Sequence, residues 1–206
     1  MKKNNLLLFS VFLFFLFSIF TFLIHLGYFK TLDLKTTVFL QNIIPRQFDM
    51  FFSAFSLVGS AEVVGLLILL LWAIYKRLNY FYVLLSFGLF HVVEFLGKTF
   101  VNHPGPGLKF LRYDLGFVFP TSSINPGSSY PSGHLGRTIF ISVLVFYILS
   151  RLKIKRNTKY IIYFLIIVFD LIMFVSRVYL GEHWLSDVIG GSVLGGFFAF
   201  LALVFI

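Results

Sequence analysis

The chain has 206 residues, 59% of them hydrophobic and only 12% charged, and its mean hydropathy is +0.94. A soluble domain of this length needs roughly 25% charged residues to cover its surface, so a soluble fold is excluded. The absence of cysteine rules out disulfides, thiolate metal sites and cysteine nucleophiles. The net charge of +9 is no nucleic-acid footprint, because the cytoplasmic-type cations lie in short loops beside apolar runs and no folded domain presents them.

A membrane span takes ~20 apolar residues at a rise of 1.5 Å each. Six stretches qualify, near residues 6–26, 54–75, 80–101, 133–150, 159–178 and 184–206. They predict an all-α polytopic membrane fold, a helical bundle forming one domain over 1–206. The first stretch follows Lys2 and Lys3; its 21 residues exceed the ~7–15 of a signal-peptide core, and no small-x-small site follows, so it reads as a retained helix. Residues 31–44 carry Leu32, Leu34, Val38, Phe39 and Ile43 with polar residues between them. This segment reads either as a short amphipathic helix lying in the headgroup region or as an ordinary connector. The loop at 102–131 contains Pro104, Pro106, Pro120 and Pro126, and at this length is expected to cover a site. In the last stretch, Gly190, Gly191, Gly195 and Gly196 place small residues four apart, which predicts close helix packing.

Lysine and arginine set the orientation. With a cytoplasmic N-terminus, the inner segments hold Lys2, Lys3, Lys76, Arg77, Arg151, Lys153, Lys155, Arg156 and Lys159 and no acid. Both termini are therefore expected on the cytoplasmic side of the cell (inner) membrane. Alternating helices then bring four ends to the outer face, carrying Lys98, His134, Arg177, and His183 with Asp187. Charges next to hydrocarbon are costly and mark function. Two cations, two histidines and one carboxylate suit an anion.

The backbone adds to this. Pro131-Ser132-Gly133-His134 opens the fourth span, with Ser132 placed to cap it and Gly133 allowing a ligand close to the chain. The free N–H groups at that helix start attract anions. His183 and Asp187 are four apart and share a helical face. A carboxylate holding the imidazole Nδ1–H leaves Nε2 as a nucleophile or base. His134, on another helix, is then free to act as a general acid. Asp170 near mid-span and Glu62 nearer the outer surface are intramembrane carboxylates to which the sequence assigns no role. Glu94 and His91 share a face with Lys98, and Glu94 is spaced to pair with it.

At these residues the chain resembles the type-2 phosphatidic acid phosphatase superfamily. Pro131-Ser132-Gly133-His134 matches that family's second motif, and Ser176-Arg177 followed by His183 and Asp187 matches its third. The first motif, a lysine with Arg-Pro beyond it, is represented by Lys98, but Gly105-Pro106 stands where Arg-Pro belongs. The resemblance implies that His183 attacks phosphorus, Asp187 orients it, and His134 protonates the leaving group and later activates water. It also implies that Lys98, Arg177, Ser132 and the Gly133 amide hold the non-bridging oxygens, with no metal and no cofactor. His103, Lys109 and Arg112 lie in the loop that lacks the arginine; Arg112 is the preferred replacement, because guanidinium binds phosphate bidentately. The implied function is hydrolysis of a lipid phosphate or diphosphate through a phosphohistidine, polyprenyl diphosphate leading, then phosphatidic acid or phosphatidylglycerol phosphate. A lipid phosphotransferase using the same histidine chemistry and a non-enzymatic transporter of anionic lipid are the rival readings.

Overall fold

The computed structural model describes residues 3–117, 119–120 and 128–205. Part of the long loop, Pro126 included, and Lys2 lie outside the described residues. Among the described residues, eight α-helices follow one another: α1 Lys3–His25, α2 Lys30–Ile43, α3 Asp49–Ser56, α4 Ala61–Ile74, α5 Tyr80–Phe100, α6 Gly133–Arg151, α7 Arg156–Tyr179 and α8 Leu185–Val204. Five of them, α1 and α5 to α8, are long and apolar enough to cross a membrane.

The second expected span, 54–75, is corrected. Its helix breaks at Gly59-Ser60, and the segments Arg46–Gly59 and Ala61–Ile74 meet at 52°. The cause is local: Ser60 is extended and its hydroxyl accepts the Val63 N–H, so Ser60 caps a new helix instead of continuing the old one. At 1.5 Å per residue, α4 alone is ~21 Å long, short of a ~30 Å hydrocarbon core. Counted as one broken span, the bent pair brings the candidate spans among the described residues from five to six.

Residues 30–43 do form a helix. Leu32, Leu34, Val38, Phe39 and Ile43 are exposed, together with Lys30, Lys35 and Asn42, whereas Asp33 and Thr37 are buried against the bundle. Gly27, at φ +77°, ends α1 before it; the Tyr28 N–H reaches the Leu23 carbonyl and the Gly27 N–H the Ile24 carbonyl, a turn that needs the left-handed residue.

Helix α8 is the centre of the bundle, packed mainly on α1, α5 and α6. Phe90, Phe140, Leu144, Leu194, Phe198 and Ala199 fill the space between α5, α6 and α8. The expected glycine packing is present at three positions. A Cβ at Gly191 would lie 2.2 Å from the Ser132 carbonyl oxygen, one at Gly195 2.0 Å from that of Gly136, and one at Gly190 2.2 Å from the Tyr130 ring. Apolar side chains gain little from meeting each other rather than lipid, so this backbone-to-backbone approach is what locks α6 to α8. It also fixes His134 relative to Asp187. Gly196 meets only ordinary contacts.

Candidate active site

Four helix ends meet at one end of the bundle. Lys98 is in the last turn of α5, His134 in the first turn of α6, Arg177 in the last turn of α7, and His183 just precedes α8, whose first turn carries Asp187. Backbone bonds tie the ends together: the Ser132 N–H donates to the Asp187 carbonyl at 3.0 Å, and the His183 N–H to that of Arg177 at 3.2 Å. His134 lies within electrostatic reach of Arg177, Arg137, His183 and Lys98.

His183 Nδ1 is 3.4 Å from Asp187 Oδ2, a charge contact without hydrogen-bond alignment, and Oδ2 accepts the Trp184 N–H at 2.8 Å. This turns His183 Nε2 away from the carboxylate and leaves its lone pair for a substrate. Burial, followed by Arg177 and Lys98, holds the His183 imidazole well below the usual value of 6.5. The ring is therefore neutral at neutral pH, the form that a nucleophile or base requires.

Arg177 is buried, with NH1 2.6 Å from Glu182 Oε2 in a close charge contact that lacks hydrogen-bond alignment. Its Nε has no hydrogen-bond partner among the described residues. Lys98 Nζ donates to Glu94 Oε1 at 2.8 Å, and Arg137 NH1 donates to Glu94 Oε2 at 3.1 Å. His91 Nδ1 is 3.2 Å from the same Oε2. A Cβ on Gly133 would sit 1.9 Å from Glu94 Oε1 and 2.6 Å from Arg137 NH1. The Glu94 carboxylate thus rests against the N-terminal turn of α6 between two cations, where helix ends hold anions. Glycine at 133 is what allows that approach.

Arg137 was not among the residues singled out from the sequence. Its Nε donates to the Gly59 carbonyl at 2.8 Å and its NH2 is 3.5 Å from His134 Nδ1. The signal was available: three residues after His134, Arg137 shares its face, and a buried guanidinium in an apolar helix needs a reason. Glu62, in the first turn of α4, also acts on Arg137 electrostatically. Asp170 accepts a hydrogen bond from Ser142 at 3.1 Å across the α6–α7 interface, away from this cluster.

Two expectations change. Arg112 is not beside the cluster's anion seat: it donates to the Gln41 and Ile44 carbonyls at 2.9 and 3.4 Å and stacks on the Tyr179 ring. The end of α2 offers unpaired carbonyls, which a guanidinium satisfies, so Arg112 staples the loop to α2. Ser132 precedes α6 as expected, but its hydroxyl makes no capping bond and is buried without a partner among the described residues. Part of the loop does lie along the site's rim. Trp184 Nε1 donates to the Pro104 carbonyl, the Arg112 N–H to that of Leu180, and Gly181, at φ +69°, lets Phe110 pass so close that a Cβ would be 2.1 Å from its oxygen.

The helix ends and their side chains define a polytopic membrane protein with a histidine-centred anion site. The family model of the PAP2 superfamily matches residues 76–206, and the chain belongs to that superfamily. Among curated proteins, phosphatidylglycerophosphatase B of Bacillus subtilis (strain 168) is 29% identical over 119 residues, 57% of this chain and 53% of that protein. The chain spans about half the length of that relative in the match. Among solved structures, a transmembrane PAP2-type phosphatidylglycerolphosphate phosphatase from Bacillus subtilis superposes with a TM-score of 0.76 at 23% identity, covering 95% of this chain and 94% of that one. LpxE of Aquifex aeolicus superposes with a TM-score of 0.62 at 25% identity, over 84% of this chain and 94% of that one.

Proposed function

We propose that the chain is a membrane lipid phosphatase that transfers phosphate from a lipid phosphate or diphosphate to His183 and then to water. The observation that carries this reading is the convergence of a buried, carboxylate-backed imidazole with Arg177, Lys98 and Arg137 around the start of α6. Phosphoryl transfer asks for in-line placement and stabilisation of oxygen charge, and this cluster supplies both. His183 Nε2 attacks phosphorus as the P–O bond to the leaving group breaks. His134 gives its proton to the departing oxygen, then takes one from the water that cleaves the P–N bond. Lys98, Arg177, Arg137 and the Gly133 N–H hold the non-bridging oxygens. The Glu94 carboxylate between Lys98 and Arg137 supports the reading of this seat as one for anions.

Phosphatidylglycerol phosphate is the first substrate to test, given the name that the Bacillus subtilis relative bears in sequence and in structure. Polyprenyl diphosphate and phosphatidic acid follow. The site faces outward and both termini face the cytoplasm. Lys3 lies over the Phe205 ring, which stacks on Tyr82 beside the Lys76-Arg77 turn, so these cations gather at the end opposite the site. The test is purification in detergent and a panel of lipid mono- and diphosphates with and without chelator. Phosphate release that survives chelator and disappears in His183→Ala is expected. Chelator-sensitive release, or release retained by His183→Ala, contradicts the mechanism.

A further inference from the structure

Asp187 is completely buried, so each of its oxygens needs compensation. Oδ2 has the Trp184 N–H and faces His183. Oδ1 has no aligned hydrogen bond among the described residues; the Ser129 hydroxyl is near enough to help stabilise this carboxylate, and 3.4 Å from Oδ1 is Nε2 of His103. His103 is itself buried, and the same Nε2 lies 3.2 Å from Ser186 Oγ and 3.7 Å from Asp33 Oδ2. Asp33, brought in by α2, is 1% exposed and accepts both the Ser186 N–H and the Ser186 hydroxyl at 2.8 Å. Ser186 has therefore given its only hydroxyl proton to Asp33 and can only accept from His103. Three acceptors surround His103 Nε2, which places the proton on that nitrogen.

We propose that His103 and Asp33 are positioning residues for the nucleophile. His103 Nε2–H holds Asp187 Oδ1, which turns Oδ2 toward His183 Nδ1; Asp33 fixes both the His103 ring and Ser186 at the start of α8. The surface helix α2 and the long loop thereby become parts of the catalytic apparatus without touching substrate. The backbone at His103 suits this role, since its carbonyl accepts from Ser128 Oγ, Ser129 Oγ and the Ser129 N–H, and the Tyr130 ring meets the imidazole at right angles. The inference rests on His183 as the nucleophile, but it also makes a claim about the resting protein that turnover does not decide.

The test compares His103→Leu, which removes the donor, with His103→Gln, which places an amide N–H near the position of Nε2. His103→Leu is expected to lower kcat about 10–100-fold, the range typical of partners that orient a ligating or reacting side chain, with KM changed less than ~3-fold. His103→Gln is expected to recover most of that loss, and Asp33→Asn to fall between the two because one acceptor oxygen remains. Equal losses in the Leu and Gln variants, or a change confined to KM, overturn the proposal. Histidine-labelled protein in detergent gives a second readout by nitrogen NMR. The wild type is expected to show His103 protonated at Nε2, and His103→Leu to shift the Nδ1 resonance of His183. An unprotonated His103 Nε2, or an unmoved His183 resonance, overturns the proposal whether or not a lipid phosphate is turned over. Expected spectra without phosphate release from any lipid would defeat the phosphatase reading alone. Should the Leu variant fail to fold, the wild-type tautomer and the Gln variant decide.

Discussion

The two ends of the bundle use the same residue types for opposite purposes. At one end, Lys3, Lys76, Arg77, Arg151, Lys153, Lys155 and Arg156 are exposed, and several lie over the rings of neighbouring Trp72, Tyr147 and Tyr160. Exposed cations of this kind are the ones from which an orientation is read. At the other end, Asp33, Glu94, His103, Arg137, Arg177, His183 and Asp187 are buried and charge-matched to one another. A charge that reaches solvent costs little, whereas a buried one must be paired, so only the second end carries an energetic signature of chemistry.

The largest break of this contrast is His183→Ala. Under the proposed function, in which His183 is the nucleophile and acts as a unit with its partners, its removal is expected to cost at least ~1,000-fold in kcat, read by phosphate release from a lipid substrate. Neutralising Lys153 and Lys155 together makes the control at the opposite end.

Glu94→Gln sharpens the contrast next. It leaves Lys98 and Arg137 without their buried counter-ion, and breaking such a pair costs about 3–5 kcal/mol. The melting temperature in detergent should fall, and saturating inorganic phosphate should restore part of it by supplying the missing anion. A variant as stable as wild type, or one indifferent to phosphate, would show that the seat is not tuned to anions.

The pH dependence is a smaller effect with a definite sign. Burial, then Arg177 and Lys98, lower the affinity of His183 for a proton below the usual 6.5. The neutral nucleophile persists through neutral pH, so kcat/KM should stay level down to about 6.5 and fall only below it. The unfolded chain takes up the proton first, so this residue's contribution to stability is lost as pH falls below about 6.5. A kcat/KM limb centred above 6.5 would contradict the assigned environment of His183. Arg112→Ala is the smallest: losing its bonds to the end of α2 should cost about 1–2 kcal/mol, seen as a lower melting temperature, with a smaller loss of turnover than Lys98→Ala gives.

Much of this was legible in the chain. Five of the six apolar runs marked α1 and α5 to α8 to within a few residues, since a backbone in lipid must satisfy its own hydrogen bonds as a helix. His134, Arg177, His183 and Asp187 were legible because local spacing places them at helix ends. The break at Gly59-Ser60 was less visible, because a serine that caps a new helix looks the same in an apolar run as one that continues it. Arg112 was misplaced for a similar reason: a loop arginine satisfies backbone carbonyls or phosphate equally well, and only the fold shows which is near. Asp33 and His103 are 70 residues apart and both far in sequence from Asp187, so no periodicity could join them. Long-range polar contacts of that kind are written in tertiary structure alone.

The most direct test is to trap the intermediate. His134→Gln should slow water activation more than attack when the leaving group is good, so rapid quenching with a radiolabelled lipid phosphate should leave label on the protein. The account predicts an acid-labile, base-stable phosphohistidine that maps to His183 and vanishes in the double variant with His183→Ala. Label on any other residue, or phosphate released in single-turnover experiments with no labelled protein at any time, would contradict it.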